Sequence, residues 1–329
     1  MHCELIVPGL FSSAVLEDAA PRHPALEVLL ARGRRQSPES RTLEQWLQEA
    51  FEQPEAPIAA GALGIAARGD DPGEGWWARA DPVHLRLLRD RAIVMPGEAM
   101  EISQQEADEL ASALNRHFAD SVQFHTLDAR RWTVRLKHEK HFLKSSALEA
   151  AGREVAASGG SEAMLTEIQM LLHAHPVNEA REARGEPAIN SLWLWGGGHA
   201  PRDAHAPWRS LAANDPTALG LAQLADIRRL DLPASAGAWL QQLPGEGRHL
   251  AILDALRVPA ALEQRPEYEA GLDALERQWF APLLAALRDE RIGMLTLRVP
   301  DAAPGASFET VRGDLRRFWR RPRALAHYA

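Results

Sequence analysis

The chain has a single cysteine, Cys3, in 329 residues. An internal disulfide is therefore excluded, and so is a metal site built on thiolates. Cys3 falls in the apolar stretch CELIVPGLF (residues 3–11), where a lone cysteine serves as a small buried hydrophobe. Tyrosine is scarce as well, with two copies against ten tryptophans. An indole N–H needs a partner when buried. Several tryptophans are therefore expected at half-buried or ligand-facing positions, with ordinary core tryptophan as the alternative. No apolar run reaches the roughly 18 residues of a membrane span. The N-terminal stretch carries Glu4 and lacks the basic region of a signal peptide, so a cytoplasmic protein without membrane contact is expected. The formal net charge of −8 favours solubility and argues against a general nucleic-acid binder.

What is present reads as alternating strands and helices. CELIVPGLF is a buried strand stopped by Pro8-Gly9. PALEVLLARGRRQ (24–36) and RTLEQWLQEAF (41–51) have helical spacing, the second with Leu43, Trp46, Leu47 and Ala50 on one face. GALGIAARGDDPGEG (61–75) has the Gly, Asp and Pro content of a loop and a domain entry. WWARADPVHLRLLRDRAIVM (76–95) reads as two strands. A helix follows with Ser103 as N-cap and Glu106 three residues on. VQFHTL and RWTVRLK then form a hairpin, which completes a ββαββ unit. Further on come a helix at 161–176, a short helix capped by Asn178 and ended by Gly185, and the strand INSLWLWGGGH (189–199). HLAILDAL and RIGMLTLRV read as buried strands around a long helix, EYEAGLDALERQWFAPLLAALRDE. The alternation predicts an α/β fold. The expected boundaries are a core of 1–72 with 145–329, and an inserted small α+β domain at 73–144.

The three glycines after WLW match neither G-x-x-x-x-G-K-[ST] nor G-x-G-x-x-G. They still permit close approach of a backbone or ligand at a strand end. No G-x-S-x-G elbow exists. His173 and His175 are splayed by their i,i+2 spacing. His138 and His141, in KHEKHFLK, belong to a solvated loop, with metal binding as the alternative. Beside Trp76 and Trp77, Arg79 and Arg91 are expected to reach a cleft where small molecules bind, whereas Arg86 and Arg89 form a solvated face. The stretch GDLRRFWRRPRALAHYA carries five arginines from Arg316 to Arg323 around Phe318 and Trp319. Clamping the tail to the protein's own acidic surface is favoured over gripping nucleic acid or an acidic partner.

The string HPVNEAREARGEPAINSLWLWGGG resembles the HPVNxxRxxxGxxxAN…WGxG segment of archaeal-type cofactor-independent phosphoglycerate mutases, in the alkaline-phosphatase-like superfamily. His175, Pro176, Asn178, Arg181, Gly185, Asn190, Gly196 and Gly198 carry the match. Arg79, Asp90 and Arg91 match that family's small-domain signature, with Asp81 in place of an Asn. The combined text, with FWRRPRALAHY near the end, is similar to the RpfE-type regulatory proteins, an offshoot of the same family. The resemblance implies an alkaline-phosphatase-like three-layer sheet core with a small inserted ββαββ domain.

It also implies a reaction using two adjacent divalent metals and a Ser or Thr nucleophile. Two such ions about 4 Å apart repel by roughly 4 kcal/mol even in water, so only a cluster of carboxylates and imidazoles holds them. The family takes that cluster from an Asp-Gly after the first strand, a D-x-x-G-H, and a late Asp-His. This chain contains no Asp-Gly and no Asp-His, VPGL follows the first strand, and Asp254 is not followed by Gly-His. The nucleophile region, QPEAPIAAGALG, has no Ser or Thr. The expectation is no metal, no cofactor and no catalytic residue.

The predicted function is that of a catalytically degenerate, phosphoglycerate-mutase-like regulatory or anionic-metabolite-binding protein. Residual mutase or phosphatase activity and a pure protein–protein interaction module are the alternatives. The ligand-binding residues expected are His175, Asn178, Arg181, Asn190, Gly196, Gly198, Arg79, Asp81 and Arg91. Asn178 at a helix start exposes backbone N–H groups to an anion, and Arg181 adds a bidentate contact. In the alternative, Asn178 only caps its helix and Asn190 only holds the loop.

Overall fold

Alternation along HCELI sends Cys3 and Leu5 to one face of a strand and His2, Glu4 and Ile6 to the other. In the computed structural model this strand, β1 (His2–Ile6), lies inside a sheet. The structure describes residues 1–16, 21–53, 58–87, 91–119, 121–152, 154–156 and 162–329. Two units are present, one of Met1–Glu52 with Ala204–Ala329 and one of Gln53–Asp203. Strands and helices are numbered in chain order.

In the first unit, β1 pairs in parallel with β11 (Arg248–Ile252) and β12 (Met294–Val299). Beyond β11 lie β9 (Ser210–Ala212) and β10 (Arg228–Leu230), also parallel. Beyond β12, β13 (Ala306–Val311) and β2 (Arg34–Gln36) run antiparallel, giving seven strands in the order β10-β9-β11-β1-β12-β13-β2. A mostly parallel sheet needs cover on both faces. Cys3, Leu5, Leu295 and Leu297 pack in one core with Leu26 and Leu29 of α1 (Pro24–Arg32). That core takes in Leu272 and Leu275 of α10 (Arg265–Leu275), Trp279 and Phe280 of a π-helical turn (Glu276–Phe280), and Leu283 of α11 (Ala281–Arg288). Burial pushes the Cys3 thiol up to about 12, consistent with an inert core cysteine.

The helix expected over 24–36 ends at Arg32, because Gly33 is needed for a close approach. A Cβ there would sit 2.7 Å from Thr310 Oγ1, and Arg34–Gln36 leave as edge strand β2. No side chain from His23 caps α1. Instead the Ala25 and Leu26 N–H groups donate to the Glu276 carboxylate at 2.7 and 3.1 Å. The two ends of the helical layer are tied together in this way.

In the second unit the expected ββαββ order is present. It runs β3 (Trp76–Leu87), β4 (Arg91–Pro96), α4 (Gln104–Phe118), β5 (Val122–Thr126) and β6 (Trp132–Leu136). Ser103 and Glu106 form the capping box at the start of α4. The short β7 (Glu154–Ala156) pairs with β4. The unit is wider than 73–144 because β8 (Ser191–Gly198) pairs along β3 and α3 (Ala60–Ala67) packs on both strands.

The GALG stretch is thus part of a helix, in place of the loop expected. Its glycines serve contact: a Cβ on Gly61 would lie 2.4 Å from the Ala78 carbonyl. α5 (Glu162–His173) and α6 (Pro176–Ala183) complete the unit. The cap of α6 is His175, whose Nδ1 accepts from the Val177 N–H at 3.2 Å, in place of the expected Asn178. Pro176 at the first helical position, which has no N–H to satisfy, places the cap three residues upstream.

Seven of the ten tryptophans are buried. Five of those are held by N–H donation: Trp77 to Pro72 O, Trp132 to Ala129 O, Trp193 to Ser145 O, Trp195 to Asp81 and Trp208 to Glu4. Trp46 and Trp76 are half-buried, and Trp319 is exposed. The arginine-rich tail is held mainly by backbone, and less by acidic groups than expected. Arg317 and Arg320 donate to the carbonyls of Arg32 and Gly33 at 3.3 and 3.1 Å, where helix α1 leaves acceptors unsatisfied. Asp314 adds one ion pair to Arg317 at 2.8 Å.

Candidate functional site

Open α/β sheets gather chemistry beyond the carboxyl ends of their parallel strands. At that edge of the first unit, Gly9 follows β1 with φ +81°. Its N–H donates to Asp301 Oδ2 at 2.7 Å. Asp301 follows β12, and burial pushes its carboxyl above the ordinary aspartate value. Asp254 opens a short 3₁₀ turn (Asp254–Leu256) after β11, and Arg257 begins the next helix, α9 (Arg257–Ala261).

The Arg257 guanidinium pairs with Glu44 of α2 (Leu43–Ala50) and lies 3.7 Å from Asp215 Oδ2. Asp215 also caps α7 (Pro216–Leu224), its Oδ1 accepting from the Ala218 N–H at 2.9 Å. A positive charge thus already sits among the acids of this edge. Among the described residues no three His, Cys, Asp or Glu side chains come together as a metal-binding group. The donor set does not fit a pair of dications, which requires concentrated carboxylates and imidazoles with no resident cation.

The residues expected to bind a ligand lie in the second unit and are engaged with the backbone. Asn178 is 2% exposed. Its Nδ2 donates to the carbonyls of Leu172 and Ile189 at 2.7 and 2.9 Å, and its Oδ1 accepts from the Ile189 N–H at 2.8 Å. Arg181 is fully buried. It donates to Pro187 O at 3.0 Å, to Glu101 O at 2.8 Å and to Glu106 at 3.2 Å. Burial acts to raise the Glu106 pKa, but the Ser103 amide and the Arg184 and Arg181 guanidiniums outweigh it and hold the carboxyl below its usual value. Asn190 clips β3 by exchanging two hydrogen bonds with Leu85, at 2.7 and 3.0 Å.

Arg79 and Asp81, both 4% exposed, pair at 2.5 Å. The Trp195 N–H donates to Asp81 Oδ2 at 2.7 Å, and Arg79 lies 5.6 Å from the Trp195 ring centroid. Gly196, at φ +60°, lets β8 approach α3, since a Cβ there would lie 2.8 Å from Ala60 Cβ. Gly198 pairs with Trp77. Arg91 pairs with Ala156 through its backbone, and its side chain lies outside the described residues. His175, Asn178 and Arg181 are therefore brought together with Asn190 around the start of β8, while Arg79, Asp81 and Gly196 cluster further along that strand. His138 and His141 are exposed, in the loop expected of them.

Sequence reading missed Arg257. The signal available was the arginine at the fourth position of D-A-L-R, where the mutase pattern has glycine. A long cation in place of a residue with no side chain must find anions nearby.

No family model matches the sequence, and neither does any curated protein. Among solved structures, the chain is similar to the PH0037 protein from Pyrococcus horikoshii, at 12% identity and a TM-score of 0.58 over 94% of this chain and 87% of that one. It also aligns with the cofactor-independent phosphoglycerate mutase from Thermoplasma acidophilum DSM 1728, at 14% identity and a TM-score of 0.42, covering 95% and 90% of the two chains. The first likeness shows a shared mixed α/β fold. No helix among the described residues is long and apolar enough to cross a membrane.

Proposed function

We propose that this chain is a catalytically degenerate relative of the alkaline-phosphatase-like phosphoglycerate mutases, acting in the cytoplasm as a regulatory protein that binds an anionic metabolite without turning it over. The observation that carries the reading is the Arg257 guanidinium paired with Glu44 and 3.7 Å from Asp215 at the carboxyl edge of the parallel sheet. A guanidinium there occupies Glu44 and lies against Asp215, acids that a metal would need, and it cannot lose its proton to make way for one. The absence of Ser and Thr from QPEAPIAAGALG removes the nucleophile that the mutase resemblance implies. The same resemblance, together with the RpfE-like text, supports a regulatory role for what remains.

The test is elemental analysis of protein incubated with manganese, magnesium or zinc, together with assays for interconversion of 2- and 3-phosphoglycerate and for phosphatase activity. Substoichiometric metal and no turnover are expected, with calorimetry detecting an anionic metabolite such as a phosphoglycerate or other phosphorylated acid. Stoichiometric metal accompanied by turnover overturns the reading. Failure of every anion to bind at millimolar concentration removes its metabolite part.

A further inference from the structure

We propose that the second face of the seven-stranded sheet carries a binding pocket for small aromatic monocarboxylates. A cavity of about 340 Å³ opens there, within the range of small-molecule sites. It goes beyond the metal-free reading and holds with or without it, because the pocket uses none of the acids around Arg257.

The floor is electrostatically unbalanced. Glu4 is fully buried, and its Oε1 accepts from Arg248 Nε and Nη2 at 2.8 and 2.6 Å and from the Trp208 N–H at 3.2 Å. Arg298 reaches Oε2 from Nη2 at 3.5 Å. Two guanidiniums against one carboxylate leave one positive charge in excess. His2 lies on the same face, but burial lowers its pKa and it adds no cation near neutrality. The Arg298 hydrogen bond to Ser307 Oγ is long at 3.4 Å, and its buried Nε has no hydrogen-bond partner among the described residues. The contacts of the Arg298 terminal nitrogens with Glu4 and Ser307, at 3.5 and 3.4 Å, are both long, so a ligand carboxylate entering the cavity would offer them a closer, two-pronged acceptor.

The walls select the rest of the molecule. Trp46 and Trp208 face the cavity with ring centroids 5.8 Å apart and a 42° tilt. Pro38 and Pro300 add apolar surface. Flat aromatic bodies pack well on such walls. At the mouth, Arg41 is shared between Glu49 at 2.5 Å and Glu39 at 3.5 Å, which leaves one negative charge in excess. That rim disfavours a multiply charged phosphate ester, and the single cationic excess below suits one carboxylate.

Indole-3-acetate serves as the probe in calorimetric titration, compared with indole, acetate and 3-phosphoglycerate. Indole-3-acetate is expected to bind saturably, and each comparison compound at least about tenfold more weakly, the loss of one charge-assisted contact or of the ring packing. Arg298→Gln and Trp46→Ala, each checked for folding by circular dichroism, are expected to weaken binding by about tenfold. Should Arg298→Gln fail to fold, the half-exposed Trp46 decides the matter alone. No saturable binding of indole-3-acetate at millimolar concentration overturns the proposal. Unchanged affinity in the folded variants, or displacement of indole-3-acetate by 3-phosphoglycerate at lower concentration than by indole, overturns it equally. Metal bound at the carboxyl edge would leave this titration unaltered, so its failure and that of the metal-free reading are separable.

Discussion

Arg257 at the start of α9 and Glu44 in α2 form an ion pair across 213 positions of sequence. Their side chains are 19% and 8% exposed. A pair this buried is costly to break from one side, because the remaining charge loses its counter-ion in a region of low dielectric. Arg257→Met is accordingly expected to destabilise the protein by about 3 kcal/mol, read as a lower urea midpoint. A change below about half that size would mean that solvent reaches Glu44 freely and that the guanidinium does not hold it.

Arg181 gives a second prediction of the same kind in the other unit. Its guanidinium is fully buried and satisfies the carbonyls of Glu101 and Pro187. Arg181→Met leaves two buried acceptors and Glu106 without that donor, at a cost of about 3 kcal/mol. Because these contacts are internal, the variant's binding of indole-3-acetate should match the wild type wherever it remains folded. Hydrogen exchange reads the local effect, with earlier opening expected at the start of α4 and in α6.

The elements legible in the sequence were those whose signals are local. Ser103 and Glu106 announce α4 because a capping box spans three residues. The alternation in HCELI and the hairpin of VQFHTL with RWTVRLK are equally short-range. Where reading and structure part, a distant partner decided the outcome. Arg34–Gln36 become a strand only because β13 offers an edge. The 61–64 glycines, loop signals by type, stand in a helix, and the one at 61 is required because β3 passes close enough to exclude a Cβ there. The expectation that Asn178 and Arg181 face a ligand rests on a helix start and on the mutase-like segment, neither of which carries information about their internal partners. Their carbonyl partners lie six to eighty positions away and could not be paired with them before the fold was known. The excess charge around Glu4 was invisible for the same reason, since its two arginines stand 244 and 294 residues from it.

Gly61 and Gly64 provide a paired test of helix contact in α3. A Cβ on Gly61 meets backbone, the Ala78 carbonyl carbon and oxygen at 2.4 Å. On Gly64 the nearest atom is Leu127 Cδ1 at 2.5 Å, the end of a side chain that can rotate away. Gly61→Ala is expected to cost about 2 kcal/mol by forcing helix and strand apart. Gly64→Ala should cost clearly less, since alanine's better helix propensity offsets part of the clash. Equal losses in thermal melts would show that α3 shifts as a unit and that Ala78 imposes no special limit.

The last prediction concerns pH. Burial is the leading cause that lowers the pKa of His2, His125, His175 and His249 below the ordinary value of 6.5. His249 shows why its neutral form suits the fold: Nε2 donates to Gly245 O at 2.9 Å while Nδ1 faces the Ser210 hydroxyl at 2.8 Å as its acceptor. The unfolded chain binds protons on these rings more readily than the folded chain does. Their contribution to stability is therefore present above 6.5 and is lost as pH falls through the lower folded values. Urea midpoints are expected to drop as pH is lowered from about 7.5 to about 5.5. His249→Gln, which keeps hydrogen-bonding capacity but does not titrate, should make that drop shallower while lowering the midpoint at the upper end. A midpoint that rises on acidification would show that protonation of the buried rings is matched by nearby carboxylates, Glu4 beside His2 being the first to examine.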